Sequence, residues 1–239
     1  MKLEARREWH AAINRMPLQE QVAAAVLAAQ WGWHDRAIMT ANRAGLHDAL
    51  ELRFPTPFRE RIEHYSQLNS LNPALAYALM RKESAFMADA VSPVGAMGLM
   101  QVMPRTGRQV ARRLNESLGS HRALLNSETN LRLGSAYLRQ VLDRFDGNPI
   151  LGAAAYNAGP HRVDAWLARN SGQPAAVWIE NISFGETRDY VKSVLAFSVV
   201  FDWVLNGKPR RMSQFMTHLN KDADVLHFRL AQQLPPPGT

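Results

Sequence analysis

Apolar positions recur at three- and four-residue intervals along most of the chain, and this period predicts helices almost throughout. Val22, Val26 and Ala29 form a stripe after Pro17, and Gly32 interrupts it. The next segment, HDRAIMTANRAG, carries Ile38 and stops at Gly45. Pro55 and Pro57 exclude a helix interior, and FRERIEHYSQL then reads as another short helix. Residues 1–66 therefore read as small stacked helices without evident chemistry.

Asn72-Pro73 is a start signal, a capping residue followed by proline at the first helical position, for a helix to about residue 84. VSPVGAMGLMQVMP, residues 91–104, changes character: two glycines and two prolines predict irregular backbone with a short β-ribbon. Pro104 opens a helix with Val110 and Leu114 inward. Residues 130–145 form an amphipathic helix through Gly134, Tyr137, Leu138, Val141, Leu142 and Phe145. An Ala-rich helix over 149–157 closes at Gly159-Pro160, and Val163, Trp166 and Leu167 share a face of the next. A long helix over 186–205 carries Tyr190, Val194, Leu195, Phe197, Phe201 and Leu205. The tail LPPPGT reads as frayed.

Composition narrows the function. The 239 residues allow one sizeable domain or two modest ones, and 46% apolar residues predict a packed core. The net charge of +7 favours a polyanion, whether nucleic acid, anionic lipid or an acidic wall polymer, without choosing among them. No Lys/Arg block with interleaved aromatics is present, which argues against nucleic-acid binding. The absence of cysteine excludes disulfides, thiolate metal sites and thiol nucleophiles. The eight histidines form no HExxH or similar pattern, so neither metal nor cofactor is expected. No apolar run approaches the ~18 residues of a membrane span. MKLEARREWHAAINR is too polar for a signal peptide, so the chain reads as cytosolic or as a piece that starts downstream of an export signal.

One carboxylate stands out. In ALMRKESAF, residues 78–86, Glu83 follows Arg81 and Lys82 directly. On a helix it shares a face with Leu79 and Met80, with Leu75 one turn back, and with Phe86 and Met87 if the helix reaches them. Arg81 and Lys82 lie at the wrong angle to pair with it. Two bland readings are a solvated surface charge and a buried Glu satisfied by backbone donors. The sharper reading is a carboxyl in an apolar cleft, where desolvation raises the pKa and leaves a general acid protonated near neutral pH.

ESAF, SPVGAMGLMQVMP, AAYNAG and ETRDYV, in this order and spacing, closely resemble the catalytic module of soluble lytic transglycosylases. The resemblance spans roughly residues 72–206. It implies a mainly α, lysozyme-like fold of the goose type with a short β-ribbon. WGWHDRAIMTANRAG and ELRFP more loosely resemble the end of that family's α-superhelix and its linker. The expected organisation is a helical linker over 1–66, a catalytic domain over 67–208 and an extension over 209–239. The resemblance implies one catalytic acid/base, Glu83, cleaving the bond between N-acetylmuramic acid and N-acetylglucosamine. The muramyl C6 hydroxyl would then attack its own C1, giving a 1,6-anhydro end. That internal nucleophile removes the need for a second carboxylate. Peptidoglycan strands are the implied partner, with other cell-envelope proteins possible, in a periplasmic monomer.

The other motif residues each carry two readings. Ser92 either shapes the turn before Pro93 or, by the resemblance, hydrogen-bonds near Glu83 and the substrate. Gln101 and Met103 alternate with Met100 and Val102, so one pair faces the core and the other the cleft; the resemblance puts Gln101 and Met103 on the sugar side. Asn157 either caps a helix end or lines the cleft with Tyr156. Glu186 suits a helix N-terminus, but the resemblance makes Glu186 and Arg188 contacts for saccharide or peptide stem. Tyr190 fits core or cleft, and the resemblance favours the cleft. Asp164 and Glu180 read as surface charges. Two alternatives remain: a lysozyme-type hydrolase, for which Asp89 is the nearest second carboxylate, and a glycan-binding module without activity, for which the retained Glu83 gives no support.

Overall fold

The computed structural model describes residues 2–216 and 218–219. Twelve α-helices are present among the described residues. The first five are α1 (Lys2–Ile13), α2 (Leu18–Gln30), α3 (His34–Arg43), α4 (Leu50–Arg53) and α5 (Arg59–Leu68). They are followed by α6 (Pro73–Glu83), α7 (Pro104–Arg113), α8 (Ser127–Arg144) and α9 (Pro149–Ala158). The last are α10 (Pro160–Arg169), α11 (Ala175–Glu180) and α12 (Gly185–Asn206). The predicted tail LPPPGT lies outside the described residues.

The centre of the fold is α6, with every residue from Ala74 to Met80 buried. A helix that is apolar on all sides must be enclosed, and α12 lies along it in the most extensive helix pairing of the molecule. Beside them, α9 packs on α12, α8 and α10. Small residues permit the close approach: a Cβ on Gly152 would lie 2.4 Å from Leu142, and one on Gly134 would lie 2.5 Å from Met100. Tyr77 stacks on Phe201 at 5.1 Å, and Phe86 meets both rings edge-on.

Start signals hold where the sequence carries them. The Asn72 side chain accepts from the Ala74 amide at 2.8 Å, and Asn148 caps α9 in the same way. Gly159 takes φ 89° at the turn between α9 and α10. The expected ribbon is reduced to two antiparallel bridges, Val91 with Met97 and Met97 with Val102. A second pairing had no signal in the pattern: β1 (Gln173–Pro174) runs antiparallel to β2 (His218–Leu219).

The packed surfaces of α2 and α7 differ from the apolar pattern. In α2 the packed face is Ala24, Ala25 and Ala28, which sits on α3, while Val26 is 41% exposed. Close helix packing rewards small side chains over bulk, so the alanines take the side on α3, while Val22 and Ala29 are half-buried. Leu114 is the C-cap residue of α7 and is 41% exposed, because α7 ends one turn after Val110.

Candidate active site

Three helix ends and the ribbon converge on Glu83. It is the last residue of α6, and Ser84 caps the helix, so Phe86 and Met87 are not its helical neighbours. The Ser84 hydroxyl donates to the Leu99 carbonyl at 2.8 Å, tying the α6 end to the ribbon. The basic neighbours leave the carboxylate alone. Lys82 is exposed. The Arg81 guanidinium donates to the Arg53 carbonyl at 2.8 Å and lies over the Phe54 and Phe197 rings. Burial lowers its pKa to about 10.

Tyr190, buried on α12, donates its hydroxyl to Glu83 Oε1 at 2.6 Å. Burial pushes the Glu83 carboxyl up from 4.5 to about 7. The Tyr190 hydrogen bond and nearby Lys82 pull it down, and Glu186 pushes it further up. Desolvation wins, because the tyrosine hydroxyl is neutral and Lys82 is screened by water. Burial, with Glu83 next in weight, holds both Tyr156 and Tyr190 well above the usual tyrosine range, so each remains a hydrogen-bond donor.

Tyr156, at the end of α9, donates to the Met100 carbonyl at 2.8 Å. Met100 and Val102 are buried, whereas Gln101 is half-buried and Met103 is 39% exposed; the division comes from a tight turn over 98–101, with Gln101 at φ 46°, and not from strand alternation. A cavity of about 200 Å³ is lined by Gln101, Met103, Tyr137, Tyr156 and Asn157. A larger one of about 710 Å³ lies near the opposite end of α6, against Asn72, Leu75, Arg139 and Leu195, and holds none of the expected site residues.

The remaining expected residues divide. Asn157 lines the cavity but does not cap α9, a position held by Gly159; it accepts from the Thr187 hydroxyl at 2.7 Å and so ties α9 to α12. Glu186 is exposed in the first turn of α12, near enough to act on Glu83. Ser92 accepts from the Ala96 amide at 2.9 Å, the turn-shaping arrangement. Gln101 donates to the Gly98 carbonyl at 2.8 Å. Arg188 donates to the Glu180 and Ile182 carbonyls at 3.3 Å, toward the α11–α12 connection. Asp89 is forked by Arg6 at 2.8 and 3.3 Å.

Asn130, on α8, is a supporting residue that the pattern did not reveal. It is fully buried, accepts from the Met100 amide, and donates to the Met97 and Leu124 carbonyls, each at 2.8 Å. Gly98 leaves room for it, since a Cβ there would meet Asn130 Nδ2 at 2.4 Å. An asparagine in an otherwise amphipathic helix was the available signal. Among the described residues, no group of three or more His, Cys, Asp or Glu is placed to hold a metal ion, and no helix is long and apolar enough to cross a membrane.

Comparison with known proteins matches residues 60–179 to the family described as transglycosylase SLT domain. Residues 1–50 match the soluble lytic murein transglycosylase L domain, and 181–209 the soluble lytic transglycosylase helical domain. The soluble lytic murein transglycosylase of Escherichia coli K12 is 37% identical over 211 residues, which are 87% of this chain and 33% of that protein. Lytic transglycosylase Slt from Pseudomonas aeruginosa, solved as an inactive glutamate-to-glutamine mutant, superposes with a TM-score of 0.86. It is 39% identical over 92% of this chain and 36% of that one. A 70-kDa soluble lytic transglycosylase in complex with bulgecin A gives 0.80, at 36% identity over 86% of this chain and 34% of that one. The chain thus spans about a third of the length of the relatives it matches.

Proposed function

The chain belongs to the transglycosylase SLT domain family, and from that premise we propose that it is a peptidoglycan lytic transglycosylase with Glu83 as its single acid and base. The observation that carries the reading is a carboxyl desolvated to a pKa of about 7 and held by Tyr190 at 2.6 Å. An acid of that pKa is half protonated at neutral pH and can both give and regain a proton. Because Oε1 accepts from Tyr190, the acid proton belongs on Oε2.

Glu83 protonates the glycosidic oxygen as the muramyl C1–O bond breaks, releasing the N-acetylglucosamine 4-hydroxyl. The resulting carboxylate stabilises the positive charge at C1. It then takes the proton of the C6 hydroxyl as that oxygen bonds to C1, which closes the 1,6-anhydro ring and restores the acid. No water enters, and the enzyme ends as it began. Tyr156 and Asn157, with Gln101 and Met103 across the cavity, supply the wall against which the sugar lies. The hydrolytic alternative loses support, because its candidate second carboxylate, Asp89, is engaged by Arg6. Ser92, Glu186 and Arg188 belong to the outer contacts of the strand, Glu186 also helping to keep Glu83 protonated. A wall substrate supports a periplasmic location.

Digestion of purified peptidoglycan, read by mass spectrometry, tests the proposal. Muropeptides lighter by one water than their hydrolytic counterparts are expected. Reducing, hydrated muramyl ends would overturn it in favour of a hydrolase.

A further inference from the structure

Residues 84–90 carry the chain from Glu83 into the ribbon, and their backbone is bent against its preference. Ala85 and Phe86 have φ of 48° and 67°, values that residues with a Cβ hold only where their surroundings enforce them. From inside the fold, Phe86 is buried against Tyr77 and Phe201. From outside, the N-terminal helices touch the same short loop twice. Arg6 of α1 forks onto Asp89, with Nη2 to Oδ1 at 2.8 Å and Nη1 to Oδ2 at 3.3 Å. His34 of α3 sets its ring edge against Phe86 at 6.5 Å. Arg6 is itself backed by Asp35, which is buried, lies 3.5 Å from Arg6 Nε and also binds Arg36 at 3.0 Å.

We infer that Arg6 is a positioning residue for the catalytic acid: α1 and α3 clamp residues 84–90 from outside, and the Arg6–Asp89 fork fixes where the Glu83 carboxyl stands. This rests on the reading of Glu83 as that acid. A two-pronged guanidinium–carboxylate contact sets an angle as well as a distance, which a single ammonium does not. A reacting group displaced by about 1 Å can cost a hundredfold in rate. The charged and titratable groups that face Glu83 are Lys82 beside it, Glu186 and Tyr190 from α12, and Tyr156 from α9. Changing Arg6 or Asp89 alters none of them, so a changed pH profile reports movement of the loop.

The test uses the full chain with Arg6→Ala, Asp89→Asn, the double variant and Arg6→Lys. Each single loss is expected to lower kcat on peptidoglycan by about tenfold or more with KM nearly unchanged. The alkaline limb of the kcat profile should move to lower pH as water reaches Glu83. The double variant should be no worse than either single one, and Arg6→Lys should recover part of the rate. Amide exchange at Met87 and Ala90, whose N–H groups bond to the Ser84 and Met87 carbonyls, should quicken in Arg6→Ala. Wild-type kcat and pH profile in both single variants, or a lowered melting temperature alone, would overturn the proposal. If the wild-type chain makes no anhydro ends, the reading of Glu83 fails, and unchanged exchange at 84–90 would by itself remove the clamp.

Discussion

At the scale of single residues, Glu83 binds its proton more tightly when folded than when unfolded. The consequence has a definite sign. As pH rises from 4.5 to about 7 the unfolded chain gives up this proton and the folded chain keeps it, so wild-type stability falls across that window. Glu83→Gln should therefore abolish turnover by about a thousandfold or more while raising stability above pH 7. The gain is at most about 3 kcal/mol, shrinks as pH falls and vanishes near 4.5, as denaturant unfolding at several pH values would show. Tyr190→Phe acts in the opposite direction on the profile. Its lost hydrogen bond favoured the carboxylate, so the alkaline limb should move up by about one pH unit, with kcat about tenfold lower. Of this site the sequence disclosed the Glu83 carboxyl and its apolar stripe, because both are local. It concealed the hydroxyl on Oε1, because Tyr190 lies 107 positions away. It equally concealed that Arg188 turns toward the Glu180 and Ile182 carbonyls.

Elements show a similar division. Helices announced by Asn-Pro starts or a Gly stop, such as α6 and α9, were legible because capping is chemistry between near neighbours. The packed face of α2 was not, since alanine carries little weight in a hydrophobic stripe yet lets helices approach closely. The ribbon was legible as irregular backbone, but its support was not: Asn130 reaches it from α8, 30 or more residues along the chain. Asn130→Leu should strand the Met100 amide and the Met97 and Leu124 carbonyls in the core. The expected cost is about 3 kcal/mol or more, and urea unfolding would measure it. Gly98→Ala should destabilise at the same place, through the clash with Asn130 and a φ of 75°.

For the whole molecule, part of the positive charge is gathered on one helix. Arg105, Arg108, Arg112 and Arg113 stand exposed on α7, the helix that Met103 opens at the rim of the cleft. Attraction between such a face and an anionic polymer is screened within about 8 Å at physiological ionic strength. KM for peptidoglycan should rise several-fold, by roughly a factor of three to ten, between low salt and about 0.5 M, with kcat little changed. Steady-state rates across a salt series would check it. A carboxyl desolvated like Glu83 is screened far less by salt, so kcat should not share that dependence.

The exposure of Met103 has a consequence in oxidative chemistry. With no cysteine in the chain, ten methionines carry all of its sulfur. Met100 is sealed beneath Gly134, where a peroxide has no approach, while Met103 stands 39% exposed beside the cavity. An oxidant that reaches exposed methionines such as Met39 and Met216 would also convert Met103 to its sulfoxide, setting a polar S=O on the surface where the sugar ring should lie. Reduction of that sulfoxide would restore the apolar face, so damage at the rim is reversible in a way that damage beneath the ribbon would not be.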